Sequence, residues 1–304
     1  MDERLHFYYP WSRLDRSGLR AVLREFLDNG RDRFVISDTL MEQMLADDGR
    51  REMLAEACRD MKARFTAVHA PWGAEWDPNL PTRERRPGMI RDHIRAMGIA
   101  AEFGCRNYVM HMGSYFYCYE KVPLDILRPL LLESLEKLLP EAEKLGMVIA
   151  VENSFEKANS ARELMEVVRH FEGHSAIGVC YDTGHANCMA SFGKDKNLYP
   201  EWFRNLWWEE GIIWEDHALE TLRDYIVTCH IHDNTGYSDL HSMPFDGVID
   251  WAELVPKLLA CPRINELQTE VSFDEGSNWA GQLPAPPGGY SVRRLTETFT
   301  KLGL

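Results

Sequence analysis

A chain of 304 residues with 45% hydrophobic content can bury one large core or two small ones, and α/β barrels of this length commonly form one domain. The formal charge of −14 argues against a surface that holds nucleic acid by counterion release. Seven cysteines without a CxxC pair fit a reducing, cytoplasmic setting, no apolar run reaches membrane-spanning length, and the charged start MDERLHFYYPW lacks the apolar stretch of a signal peptide.

Taken in order, the chain alternates. Runs rich in β-branched and aromatic residues occur at 5–9, 33–37, 65–69, 108–112, 147–152, 177–182, 225–230 and 264–270. Helical patterns lie at 17–29, 41–62, 83–103, 123–145, 160–171, 251–259 and 291–302. The pattern at 123–145 repeats Leu at three- and four-residue intervals and stops before Gly146. Strands separated mostly by helices predict an α/β chain, a (β/α)8 TIM barrel in a single domain spanning 1–304. A doubly wound open sheet is the alternative. No Gly-rich phosphate fingerprint follows the first strand, which weakens that alternative and leaves no nucleotide cofactor to expect.

The stretch 225–251, YIVTCHIHDNTGYSDLHSMPFDGVIDW, organises the rest. Period-2 geometry puts His230 and His232 on one strand face and Cys229 and Ile231 on the other. Asp239 and His241 share the same alternate spacing, which lets both side chains reach one cation. Metal ligation fits this density of His and Asp better than a hydrogen-bonded polar loop. The predicted strands then end, one after another, in groups of the same kind. These are His69 in VHAPW, His111 in VMHMGS, Glu152 in AVENS, Asp182 and His185 in YDTGHAN, His230, and Glu270 in QTEVSF. A barrel gathers its strand ends around one mouth, so residues distant in sequence become neighbours. The remaining His (His6, His93, His170, His174, His217) read as structural.

At these residues the chain resembles the xylose isomerase-like TIM-barrel superfamily, which holds sugar phosphate isomerases and epimerases and the endonuclease IV-type enzymes. VENS, YDTGHAN, HIHDN-x4-D-x-H and G-x-I-D-W carry the resemblance. It implies a divalent ion (Mn, Mg, Co or Zn) held by Glu152, Asp182, His230 and Glu270. The family's His-x-x-Asp spacing selects His230 with Asp233, and His232 is the alternative. A second resemblance, to the endonuclease IV-type enzymes with three zinc ions, adds His69, His111, His185, Asp239 and His241 as further ligands. The surrounding motifs depart from that nuclease: Asn-Ser-Phe-Glu follows Glu152, His-Asp-Asn follows Ile231, and Leu240 stands where the nuclease has Arg. Isomerase-like members also use such extra His to bind substrate.

The expected function is isomerisation or epimerisation of a sugar or sugar-like keto/hydroxy compound, with proton transfer through a metal-stabilised ene-diolate. Glu152 and Glu270 are the candidate proton acceptors. His185, His111 and His69 are candidates to hold hydroxyls or the developing oxyanion. Trp72 and Phe155 offer a wall for a sugar ring or, alternatively, ordinary packing. Dehydratase or lyase chemistry, endonuclease IV-type phosphodiester hydrolysis and metal binding without turnover are the alternatives. Thr235-Gly236 departs from the family's sugar epimerases, which often carry an Arg there. Separately, no Lys or Arg directly follows the seventh- or eighth-strand ligand, which points to an unphosphorylated carbohydrate. The Trp-rich insertion 197–225 holds four of the nine Trp and is expected as an added helix, a lid or a subunit contact in a homo-oligomer. The Gly- and Pro-rich loop 275–290 is expected to shape the substrate end of the pocket.

Overall fold

The computed structural model describes residues 2–272 and 291–304, so the loop 275–290 lies outside the described residues. Eight strands form a closed parallel barrel: β1 (Leu5–Phe7), β2 (Arg33–Ile36), β3 (Arg64–His69), β4 (Asn107–Met110), β5 (Val148–Glu152), β6 (Ile177–Asp182), β7 (Ile226–Ile231) and β8 (Leu267–Thr269), with β8 pairing β1. Helices run between them, and the expected single-domain (β/α)8 barrel is the fold. No helix among the described residues is long and apolar enough to cross a membrane.

Alternation along each strand sorts the side chains. Tyr108, Met110, Ile149, Val151 and Val179 face the helices and join the large core. Val109, Ala150, Cys180 and Val227 form a separate small apolar cluster. Two residues onward from the first three stand His111, Glu152 and Asp182, so period-2 geometry puts this plug one layer beneath the polar mouth. Beside the plug lies a polar cluster, in which Thr228 Oγ1 and Gln268 Nε2 donate to Glu266. His6 and His93 make structural contacts, His6 with Arg4 O and Thr66 Oγ1, His93 with the Tyr108 hydroxyl and Trp76 O.

The register between β6 and β7 is not uniform. Val179 pairs with Ile226, then the alignment slips so that Cys180 pairs with Thr228 and Asp182 with His230. Continued without the slip, the first register would set Asp182 opposite Cys229, whose side chain belongs to the outer core. One extra residue therefore turns His230 to face Asp182 across the mouth.

Two expected elements differ. The helix expected at 41–62 is two helices, Asp38–Ala46 and Asp48–Met61. Asp47 between them is extended (φ −141°, ψ 109°) and its carboxylate accepts from Gly49 N, so it stops one helix and caps the next. The insertion 197–225 is not one added helix but an irregular segment with short helices at Glu201–Arg204 and Ala218–Leu222. Tyr199, Phe203 and Trp207 are buried within it, and the indole N–H groups of Trp207 and Trp208 donate to the carbonyls of Phe155 and Tyr117. Those bonds fasten it over the β4 and β5 loops.

Candidate metal centre

Glu152, Asp182 and His69 are the last residues of their strands, His230 is the next to last of β7, and His111 and Glu270 each follow a strand by one residue. Their side chains meet at the C-terminal mouth. Overlapping groups of donors form there, among them His69, His111 and Glu152; Glu152, Asp182, His230 and Glu270; and His185, His232, Asp239 and His241. In each group the donor atoms lie within 4.8 Å of one another. Glu152 belongs to the first two. Its Oε2 is 3.2 Å from His69 Nε2 and 3.4 Å from His111 Nε2, and its Oε1 is 3.2 Å from His230 Nδ1.

The surrounding backbone sets the tautomers. The Nδ1 atoms of His69, His185 and His241 lie 2.7, 2.8 and 2.8 Å from the carbonyls of Ala70, Asn153 and Glu270. A carbonyl only accepts, so Nδ1 carries the hydrogen and Nε2 turns a lone pair to the mouth. Metal-ligating imidazoles are normally oriented by such a bond from the other ring nitrogen. Facing them are carboxylates that also present lone pairs. His111 Nδ1 and Asp239 Oδ1 are buried with no hydrogen-bond partner. Glu270 Oε2 stands 2.9 Å from His230 Nδ1 without hydrogen-bond alignment. Lone pairs converging from several sides repel one another unless a proton or a metal ion lies between them. The donor set is His and carboxylate, with Cys180 beside Glu152 and His230, where burial keeps its thiol protonated, and it fits Mn, Mg, Co or Zn.

Protons occupy that cationic role when no ion is bound. Burial disfavours charge on each group, yet the pairing prevails. His230 and His111 hold Glu152 well below the ordinary glutamate value. Asp182 and Asp239 hold His185 well above the ordinary histidine value. His241, against Asp239, is pushed up to about 10. Binding of a divalent ion at these groups would exchange protons for metal.

A cavity of about 300 Å³ opens above these groups. Trp72 stacks on His111 (5.7 Å between centroids, 26°) and its indole N–H donates to Asp38 Oδ2 at 3.0 Å. Phe155 meets His185 edge-on at 5.1 Å and packs on Phe203 at 4.8 Å. Arg13 is the one Lys or Arg among the described lining residues, against the carboxylates Asp38, Glu152, Glu156, Asp239 and Glu270.

Residues 13–261 match the family described as xylose isomerase-like TIM barrel. The chain belongs to this family. It is 28% identical over 257 residues to the uncharacterized protein y4fM of Sinorhizobium fredii, a match spanning 75% of each chain. It is similar to the structure of D-psicose 3-epimerase with D-tagatose from Clostridium cellulolyticum H10, at 15% identity and TM-score 0.73 over 99% of this chain and 98% of that one. It is also similar to the TTHB071 protein from Thermus thermophilus, soaked with ZnCl2, at 21% identity and TM-score 0.59 over 91% and 95%. At such identities the structural likeness is one of fold.

Within this xylose isomerase-like barrel the structure gathers all the candidate side chains at one mouth, and it separates two that the sequence left interchangeable. His230 stands among Glu152, Asp182 and Glu270, whereas His232 reaches Asp182 from the other side and stacks on His241. Of the frame that holds them, the sequence reading gave Asn153 no role and used Asp233 only as a spacing mark. Asn153 brackets Asp182, with Oδ1 accepting from Asp182 N (2.8 Å) and Nδ2 donating to its carbonyl (3.1 Å). The buried Asp233 carboxylate accepts from Asn234 N, Phe245 N, Ile249 N and the Trp251 indole, closing the loop that carries Asp239 and His241. The available signal was VEN ahead of YDTGH, and the spacing from Asp233 to the G-x-I-D-W turn.

Proposed function

We propose that the chain is a divalent-metal-dependent isomerase or epimerase acting on a sugar or sugar-like keto/hydroxy compound. The observation that carries the reading is the pair Glu152 and Glu270, which approach His230 Nδ1 from two strands (3.2 and 2.9 Å) at the floor of an aromatic, acidic cavity. A divalent ion held by Glu152, Asp182, His230 and Glu270 supplies polarisation of a carbonyl and its neighbouring hydroxyl, which acidifies the adjacent C–H. The chain's own groups do the rest. One carboxylate takes the proton from that carbon and the other returns one to the opposite face, or to the neighbouring carbon. His185 and His111 lie in reach to hold hydroxyls, and the Trp72 ring offers a face for the sugar. The acidic lining favours an uncharged polyol over a phosphorylated one. The structural neighbours include D-psicose 3-epimerase and a D-tagatose 3-epimerase-like protein, which supports the same class. Elimination by a dehydratase or lyase would use the same first step.

A second reading follows from the several donor groups at the mouth, which suit phosphodiester hydrolysis by several ions. Heavy water separates the two. Incubating the metal-loaded protein with a panel of ketoses in D2O should place deuterium on the carbon beside the carbonyl. Clear product with no label, and no primary isotope effect from α-deuterated substrate, would refute proton transfer.

A further inference from the structure

His232 is fully buried and touches both of the larger donor groups. Its Nε2 lies 3.1 and 2.9 Å from the two carboxylate oxygens of Asp182. Its ring lies flat on that of His241, 4.1 Å between centroids and 7° between planes. Its backbone is clamped by one hydroxyl: Thr183 Oγ1 accepts from His232 N at 3.1 Å and donates to His232 O at 2.8 Å. Gly184 lies against the ring so closely that a Cβ there would stand 2.0 Å from His232 Cε1. The four residues Asp182-Thr183-Gly184-His185 thus read as ligand, clamp, clearance and ligand, two of them spent on seating His232.

The geometry argues against His232 as a ligand itself. Nε2 faces both oxygens of the one Asp182 carboxylate, which only accept, so a donor there orients that carboxylate. Imidazole binds a metal in its ring plane at about 2.0–2.1 Å. An ion in the plane of His241 therefore sits nearly a stacking distance off the plane of His232, beyond bonding reach. Nδ1 keeps a lone pair without a partner, but it faces the Cα of Gly184, where an added Cβ would stand 2.5 Å from it.

We propose that His232 is a positioning residue that couples two ion sites: its Nε2–H fixes the Asp182 carboxylate of one, and its ring face fixes His241 of the other. The inference rests on the reading that these groups hold divalent ions. The two contacts can be removed separately. His232→Phe keeps a flat ring under His241 and removes the donor to Asp182. His232→Gln keeps an N–H of similar reach and removes the ring.

The test is chelator-competed titration of the full chain with Co2+, following ion stoichiometry by elemental analysis and the cobalt d–d spectrum. With His232→Phe, affinity at the site containing Asp182 should fall by roughly 10–100-fold, the usual effect of removing an outer-shell partner, while the site containing His241 keeps its spectrum. With His232→Gln the pattern should reverse. Wild-type protein that binds two ions, with both variants titrating as wild type, would overturn the coupling and leave the metal reading intact. Wild-type protein that binds no ion overturns both. Loss of the same single ion in both variants, with an altered spectrum, makes His232 a ligand and overturns the proposal. A measurement without variants covers a failure to fold: 15N NMR of the histidines in the zinc-loaded wild type should show His232 as the Nε2–H tautomer with no nitrogen shifted by zinc. A zinc-bound His232 nitrogen would refute it.

Discussion

Glu266 precedes β8 beside the apolar plug, is 3% exposed and accepts two hydrogen bonds on Oε1, from Thr228 Oγ1 (3.0 Å) and Gln268 Nε2 (2.7 Å). Burial pushes its carboxyl up from 4.5 to about 7, and the donors Gln268, Thr228 and Asn107 offset only part of that. Asn107 Oδ1, meanwhile, has no donor. Glu266→Gln keeps the shape, can still accept from Thr228 and Gln268, and offers an N–H to Asn107. The interval from 4.5 to about 7, at about 1.4 kcal/mol per tenfold in proton affinity, corresponds to roughly 3 kcal/mol. The unfolded chain releases this proton near 4.5 and the native chain near 7. The native state therefore binds more protons between those values, and the stability linked to Glu266 is full below 4.5, falls as pH rises towards 7 and is flat above. Urea unfolding of both proteins at pH 5, 6, 7 and 8 should show Glu266→Gln gaining on wild type across pH 5–7 by up to about 3 kcal/mol, with a constant difference at higher pH. Parallel pH profiles for the two proteins would show that Glu266 is charged in the native state and that the barrel floor is wetter than its packing implies.

Glu152→Gln and Glu270→Gln should each lower turnover by at least roughly 10²–10⁴-fold, since each loses a ligand charge and a proton acceptor; near-normal turnover with metal retained would remove that carboxylate from the reaction. Abasic-site duplex DNA should remain uncut at physiological salt, in keeping with the −14 charge and Leu240 beside Asp239. Incision by zinc-loaded protein that disappears in Asp182→Asn would install the hydrolase reading. Asp233→Asn replaces an acceptor of four donors with a group that must turn an NH2 towards some of them. It should cost roughly 2–5 kcal/mol in thermal or urea unfolding, and an unchanged midpoint would mean that the 233–251 loop is held by its other contacts.

Much of the barrel was legible because its signals are local. Buried parallel strands read as short runs of β-branched and aromatic residues, and the helices between them repeat at helical spacing. The misses were local too, though weaker: Asp47 ends a helix because its carboxylate competes for Gly49 N, a choice that a continuous pattern over 41–62 hides. The insertion 197–225 has apolar content without a clean period, and its indoles are placed by carbonyls of distant loops.

The sequence by itself determined which kinds of group reach the mouth, since strand-end His, Asp and Glu are fixed by position along each strand. Which histidine faces which carboxylate was decided only by tertiary structure. His230 and His232 share a strand face and are equivalent to any local rule. They part company because the β6–β7 register slips by one residue after Val179, bringing His230 rather than Cys229 opposite Asp182. Two residues on, the strand has ended, and Thr183 and the bare Cα of Gly184 seat His232 between Asp182 and His241. A register slip is settled by the packing of both strands against the rest of the barrel, so neither strand's own residues record it.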